Sequence, residues 1–202
     1  MARDLLGKLL VRRTREGVCI GRIIETEAYC GVRDRACHTF AGRRTPRTET
    51  MWGPPGHAYI YFTYGMHWCL NAVCAAEGDP QAVLIRAVEV LSGIDHMRVR
   101  RGPRCTDRDI CRGPARLCAA FGLSGAQDGA DLTQSALRIV DAPTLPARQI
   151  LRAPRIGVGY AGTDAARLWR YGAGPAQLHS GRFPALPRRT RTYAKETTHG
   201  EG

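Results

Sequence analysis

Hydrophobic and polar positions change period several times along this chain, and each change marks an element. Leucines at 5, 6, 9 and 10 form a helical stripe over residues 2–10, with Asp4 near its start. Residues 9–13 then read as a strand, Glu16-Gly17 as a turn, and residues 18–29 as a second strand. Within that strand, alternation sets Ile23, Glu25, Glu27 and Tyr29 on one face and Ile24, Thr26 and Ala28 on the other. Residues 31–50 are polar and rich in Arg and Gly, which predicts a loop, and 52–56 (Trp-Gly-Pro-Pro-Gly) is a rigid turn. Residues 58–63 and 66–75 predict a hairpin with Tyr64-Gly65 at its tip. An apolar strand over 82–90 holds Arg86, and a helix over 91–101 ends in Arg98, Arg100 and Arg101, with Arg104 just beyond. Pro114 opens a further helix that Gly122 closes. Residues 137–140 read as a short strand, and 155–160 as a glycine-bearing strand or turn. No repeat or internal linker interrupts the pattern. One domain over residues 1–181 is expected, followed by a basic, disordered tail over 182–202.

Charge adds a partner to this picture. The 202 residues carry a formal net charge of +12, and all but two of the 30 basic residues are Arg. That balance points to an anionic partner such as nucleic acid. The run Gly42-Arg43-Arg44-Thr45-Pro46-Arg47 sets three guanidiniums around a turn, with the look of a phosphate grip. No apolar run approaches the roughly 20 residues a membrane span needs, and no signal peptide is visible, so a cytoplasmic protein with reduced cysteines is expected. No two of the eight Cys have metal-ligand spacing, and Cys30, Cys37 and His38 are scattered. Neither a metal nor another cofactor is expected.

Two acids and a Tyr on one strand face make a poor core. A carboxylate in a partly apolar pocket has its pKa raised and can serve as a general base. Acids on a half-exposed strand facing water fit that strand equally well. The exposed aromatics at the predicted hairpin tip either pack on a neighbour or form a wedge for a base stack.

Seven motifs in order decide between these alternatives: ETEAY at 25–29, His38, GRRTPR at 42–47, YIYFTYGMHWCLN at 59–71, LIRA at 84–87, CRGPARL at 111–117 and RIGVGYAG at 155–162. The chain resembles the alkyladenine (3-methyladenine or methylpurine) DNA glycosylase family over residues 2–172. The resemblance implies an α+β fold: a single mixed domain with a curved antiparallel sheet and flanking helices, like the C-terminal domain of formyltransferases. It implies a DNA glycosylase, expected to act as a monomer and to associate with the nucleoid through DNA, and, since the chain's two lysines, Lys8 and Lys195, fall away from Glu27, Tyr29 and Tyr61, a monofunctional one that cuts only the glycosidic bond. The enzyme would flip alkylated or deaminated purines out of double-stranded DNA and begin base excision repair. By the same resemblance Glu27 is the base that activates water, Tyr29 and Tyr61 sandwich the extruded base, and His38 and Asn71 complete its pocket. Tyr64, with Met66 beside it, fills the gap in the duplex, and Arg86 holds the target nucleotide's backbone. Glu25 is expected to pair with a nearby Arg. A DNA-binding module of the same fold without catalysis is the alternative, and the presence of Glu27 argues against it.

Overall fold

The computed structural model describes residues 1–184. Eight strands build a single antiparallel sheet: β1 (Leu9–Thr14), β2 (Gly17–Tyr29), β3 (Ala58–Thr63), β4 (His67–Val73), β5 (Ala82–Ser92), β6 (Leu137–Val140), β7 (Leu151–Ala153) and β8 (Arg170–Gly172). Their order is β3-β4-β5-β2-β1-β6, and the β7–β8 pair joins the same edge of β2 that β1 leaves. The sheet is curled, and with the helices α1 (Glu49–Trp52), α2 (Ile94–Arg101) and α3 (Pro114–Phe121) it makes the mixed α+β domain the sequence predicts.

β2 is the axis of this arrangement. It pairs with β5 along one edge, and with β1 and then β8 along the other, and its residues 23–27 are buried. The pairing with β5 shifts register between Ile23 and Glu25 and again between Glu25 and Thr26. These bulges reset the alternation. Ile23 packs into the main core, whereas Glu25 and Glu27 meet arginines, so Ile23 does not share their face as simple period-two reading predicts. The main core lies between the sheet and α2 and α3. α3 contributes Leu117, Cys118, Ala120 and Phe121, starts at Pro114, and stops where Gly122 turns left-handed at φ 63°.

Two sequence expectations change. Residues 2–7 form consecutive turns instead of a helix, because β1 takes Leu9 and Leu10 into the sheet. The helix predicted over 91–101 starts only at Ile94: β5 continues to Ser92 and Gly93 (φ 80°) breaks the chain direction. At the expected tail boundary, the Arg182 carbonyl accepts from Arg170 and the Phe183 ring lies against its guanidinium. The disorder expected further along falls on 185–202, outside the described residues. Among the described residues no helix is long and apolar enough to cross a membrane.

Candidate active site

A cavity of about 420 Å³ opens where the ends of β2–β5 meet the loops 31–47 and 154–162. That volume suits a small-molecule or base-sized ligand. Two small apolar clusters shape its walls. Cys37, Met51, Tyr59, Val73 and Ala82 hold Tyr29 and Tyr61 from one side, and Ala36, Val158 and Ala161 hold Tyr29 from the other.

Glu27 lies just behind the cavity surface, fully buried. Its Oε1 accepts from the Ile156 backbone N–H at 2.7 Å. Its Oε2 accepts from the Tyr29 hydroxyl at 3.0 Å and from Arg86 Nη1 at 3.0 Å. The carboxylate is therefore set in polar donors, not in the partly apolar pocket expected from the strand pattern. Three donors immobilise it and leave one of its roughly four acceptor positions open. All three donors come from residues that line the cavity.

Glu25 is the structural partner that the sequence reading expects. Fully buried, it accepts from Arg170 Nη1 at 2.9 Å, from Arg86 Nε at 3.3 Å and from the backbone and hydroxyl of Ser180. Arg86 thus bridges both glutamates. Burial opposes its charge, and Glu27 and Glu25 more than offset that, so its pKa is raised. Nε and Nη1 are engaged inside the protein, and Nη2 has no hydrogen-bond partner among the described residues.

The aromatic walls are fixed from behind. Tyr29 is backed by the Arg155 guanidinium, 4.9 Å from its ring centroid, and Trp169 lies at the same distance from Arg155. Arg155 forms a fully buried, two-pronged ion pair with Asp34. Asp34 also accepts from the N–H groups of Cys30 and Ala36, so one ion pair fixes the 31–36 loop, the 154–162 loop and a wall of the cavity together. Tyr61 lies beneath Arg47 at 5.1 Å and meets His38 edge-on at 4.6 Å. Asn71 is buried and donates to the Tyr59 carbonyl at 3.0 Å, which fixes its amide at the cavity wall.

His38 Nδ1 is 2.9 Å from the Tyr59 hydroxyl. Burial, with Arg47 and Arg43 nearby, lowers its pKa from 6.5 to about 4, so the imidazole is neutral at neutral pH. The unfolded chain binds more protons than the fold between these two values. Stability is therefore present above pH 6.5 and is lost as pH falls toward 4, by an amount on the order of 3 kcal/mol at most. A series of thermal melts over this window should show the loss, and His38→Gln should flatten the profile.

The hairpin tip is as the sequence predicts. Tyr64 is 82% exposed and Met66 67% exposed, and Tyr64 reaches the cavity rim. The tip needs positive φ at both central positions, 52° at Tyr64 and 65° at Gly65. A non-glycine residue there costs about 1–2 kcal/mol.

The arginine clusters divide. Arg43 and Arg47 line a second cavity of about 310 Å³ that shares His38 with the first, together with Arg35, which sequence reading missed. Arg44 is held by Glu49 and lies over Trp52. The cluster ending α2 serves the fold: Arg98 binds Asp95 and Asp107, Arg100 binds Glu16, and Arg101 donates to the Ile110 carbonyl. Other groups at the site were given no role from sequence: the Ile156 N–H and Arg155, although both fall in the RIGVGYAG motif, the Asp34 partner of Arg155, and Ser180. Tyr160, 72% exposed at the cavity mouth, is also new. Among the described residues, no three His, Cys, Asp or Glu side chains are grouped to hold a metal ion.

The chain is similar to known proteins along most of its length. The sequence profile of the methylpurine-DNA glycosylase family matches residues 1–175. A Burkholderia lata protein is 49% identical over 182 residues, covering 87% of this chain and 86% of its own length. Proteins of Methanocella arvoryzae (47% identical; 85% of this chain, 84% of its own) and Streptomyces avermitilis (40%; 95% and 90%) are also similar. All three are provisionally named 3-methyladenine DNA glycosylases. With the family profile spanning nearly the whole described domain and relatives close to half identical along most of their length, this chain belongs to the methylpurine-DNA glycosylase family of DNA-repair hydrolases.

Proposed function

We propose that this glycosylase flips a damaged purine out of duplex DNA into the 420 Å³ cavity and hydrolyses its N-glycosidic bond with water activated by Glu27. The observation that carries the reading is the buried Glu27 carboxylate, fixed by three donors that themselves line an aromatic cavity. A base within the stack cannot reach such a site, so it must be extruded. Tyr29 and Tyr61 receive it between their faces, with His38 and Asn71 at its edge. An alkylated purine carries positive charge, and each aromatic face attracts it by about 0.5–2 kcal/mol.

In the chemical step the water oxygen bonds to the sugar C1′ while the C1′–N bond breaks. The bonding pair moves onto the purine and neutralises its charge, and Glu27 takes the proton that water loses. Neutral deaminated purines such as hypoxanthine also require a proton on the leaving ring, so they should leave more slowly. Tyr64 and Met66 fill the gap in the duplex, and Arg43 and Arg47 contact phosphates.

Tyr64→Ala tests the flipping step. It should weaken binding to a duplex containing 3-methyladenine by about 1–3 kcal/mol, the range for one base–aromatic stack. It should also slow release of the free base. The melting temperature should stay within a degree or two, because the ring is exposed. A large fall in stability with unchanged binding would show that Tyr64 is a structural residue and not a wedge.

A further inference from the structure

The family profile ends at residue 175, but the chain beyond it folds back onto the site. After a short turn at Ala176–Leu178, residues 179–183 cross behind the two glutamates. His179 Nε2 lies 2.8 Å from the Ala173 carbonyl, and its own carbonyl accepts from Arg112 Nε at 2.7 Å. Arg170, already bound to Glu25, donates to the Arg182 carbonyl at 2.6 Å and sits under the Phe183 ring at 4.0 Å. The strap fits without slack. A Cβ built on Gly172 would lie 2.5 Å from the Phe183 ring, and one on Gly181 would lie 2.6 Å from Ile156 Cδ1.

Ser180 is at the centre of this strap. Its hydroxyl donates to Glu25 Oε1 at 2.9 Å and accepts from Arg86 Nε at 3.1 Å, and its N–H donates to Glu25 Oε2. Arg86 in turn reaches Glu27 through Nη1. The next residue, Gly181, packs on Ile156, whose N–H is another of the donors to Glu27. Two of the three groups that hold Glu27 are therefore backed by the strap.

One guanidinium stands between two buried carboxylates, and a buried carboxylate short of donors is strongly unfavourable. Ser180 and Arg170 satisfy Glu25, which leaves Arg86 Nη1 to Glu27. We infer that Ser180 is a positioning residue for the hydrolysis: its hydroxyl locks Arg86 and so holds Glu27 in line with the attacking water. The inference rests on the reading of Glu27 as the base. Without the hydroxyl, Arg86 is free to turn toward Glu25, and Glu27 loses one fixed donor and its orientation.

Full-length Ser180→Ala, Ser180→Thr and Glu27→Gln are compared on a duplex containing 3-methyladenine, with single-turnover excision, lesion binding and thermal melts measured on each. Ser180→Ala should excise about tenfold more slowly, as expected for a slightly misplaced catalytic group, while binding stays within about twofold of wild type. Ser180→Thr, which keeps the hydroxyl, should recover most of the rate. Wild-type excision by Ser180→Ala beside an inactive Glu27→Gln would overturn the positioning role and leave the base assignment standing. Equal slowing in the Ala and Thr variants, matched by weaker binding and lower melting temperature, would also overturn it, because that pattern marks general structural damage. An active Glu27→Gln would instead remove the reading on which the inference rests.

Discussion

Glu27→Gln should lower single-turnover excision of 3-methyladenine by about 10²-fold or more, in line with the contribution of general acid–base catalysis. The substitution preserves shape, and the amide oxygen can still accept from one of the present donors. It cannot take a proton from water. It also places an NH₂ group against donors at Ile156, Tyr29 or Arg86, all of which now point at a carboxylate. Some loss of stability should accompany the loss of rate, whereas binding to the lesion should survive, since the aromatic walls do not depend on the carboxylate's charge. Glu25→Gln is the comparison. Glu25 has four donor contacts and does not line the cavity, so its loss should lower stability more than it lowers the chemical step.

The second large effect concerns Asp34. Asp34→Asn should destabilise the protein by about 3–5 kcal/mol, because it leaves the Arg155 charge buried without its counter-ion. For a domain of this size that is a fall in melting temperature of roughly 6–20 °C. Arg155 Nε already lacks a partner, so no spare acceptor among the described residues compensates the loss. Replacing both members, Asp34→Leu with Arg155→Met, should be less destabilising than Asp34→Asn alone, since it removes the buried charge together with its partner. The double variant should still excise slowly, because Tyr29 loses the guanidinium behind its ring and the two loops lose their common anchor. A double variant no more stable than Asp34→Asn would show that backbone hydrogen bonds to Asp34, and not charge pairing, dominate at this position.

The long elements were legible because their patterns are local. The β3–β4 hairpin carries its own turn signal, and α3 carries Pro114 and Gly122 at its ends. β2 was legible as a strand, but its bulges were not: they arise from pairing with β5, which no local window contains. The N-terminal leucine stripe misled for a related reason, since Leu9 and Leu10 satisfy a helical period and a strand equally, and pairing with β2 and β6 decides. β7 and β8 have three residues each, too few to show a period, and Arg152 and Arg170 interrupt them.

The site divides in the same way. Tyr29, His38, Tyr61 and Asn71 are named by motif, and the fold brings all of them to one cavity. The parts that hold them are long-range. Ile156 contributes a backbone N–H that any residue except proline could supply, and it lies 129 positions from Glu27. Asp34 and Arg155 are 121 positions apart. The arginine clusters show the converse limit: Arg98, Arg100 and Arg101 form a basic run in sequence, but their charges are matched or tied to carbonyls within the fold.

The central claim is a water-based hydrolysis driven by Glu27, and the most direct measurement is a single-turnover time course on a duplex with one 3-methyladenine, run with borohydride present. The wild type should release the free base and leave an unbroken strand with an abasic site, and no protein should become attached to DNA. Glu27→Gln should release almost none on the same time scale. An amine mechanism would pass through a Schiff base that borohydride traps, yet Lys8 is engaged with Asp141 and the Ala142 carbonyl and does not line the cavity. A covalent protein–DNA adduct that forms with wild type, or base release by Glu27→Gln at the wild-type rate, would contradict the account.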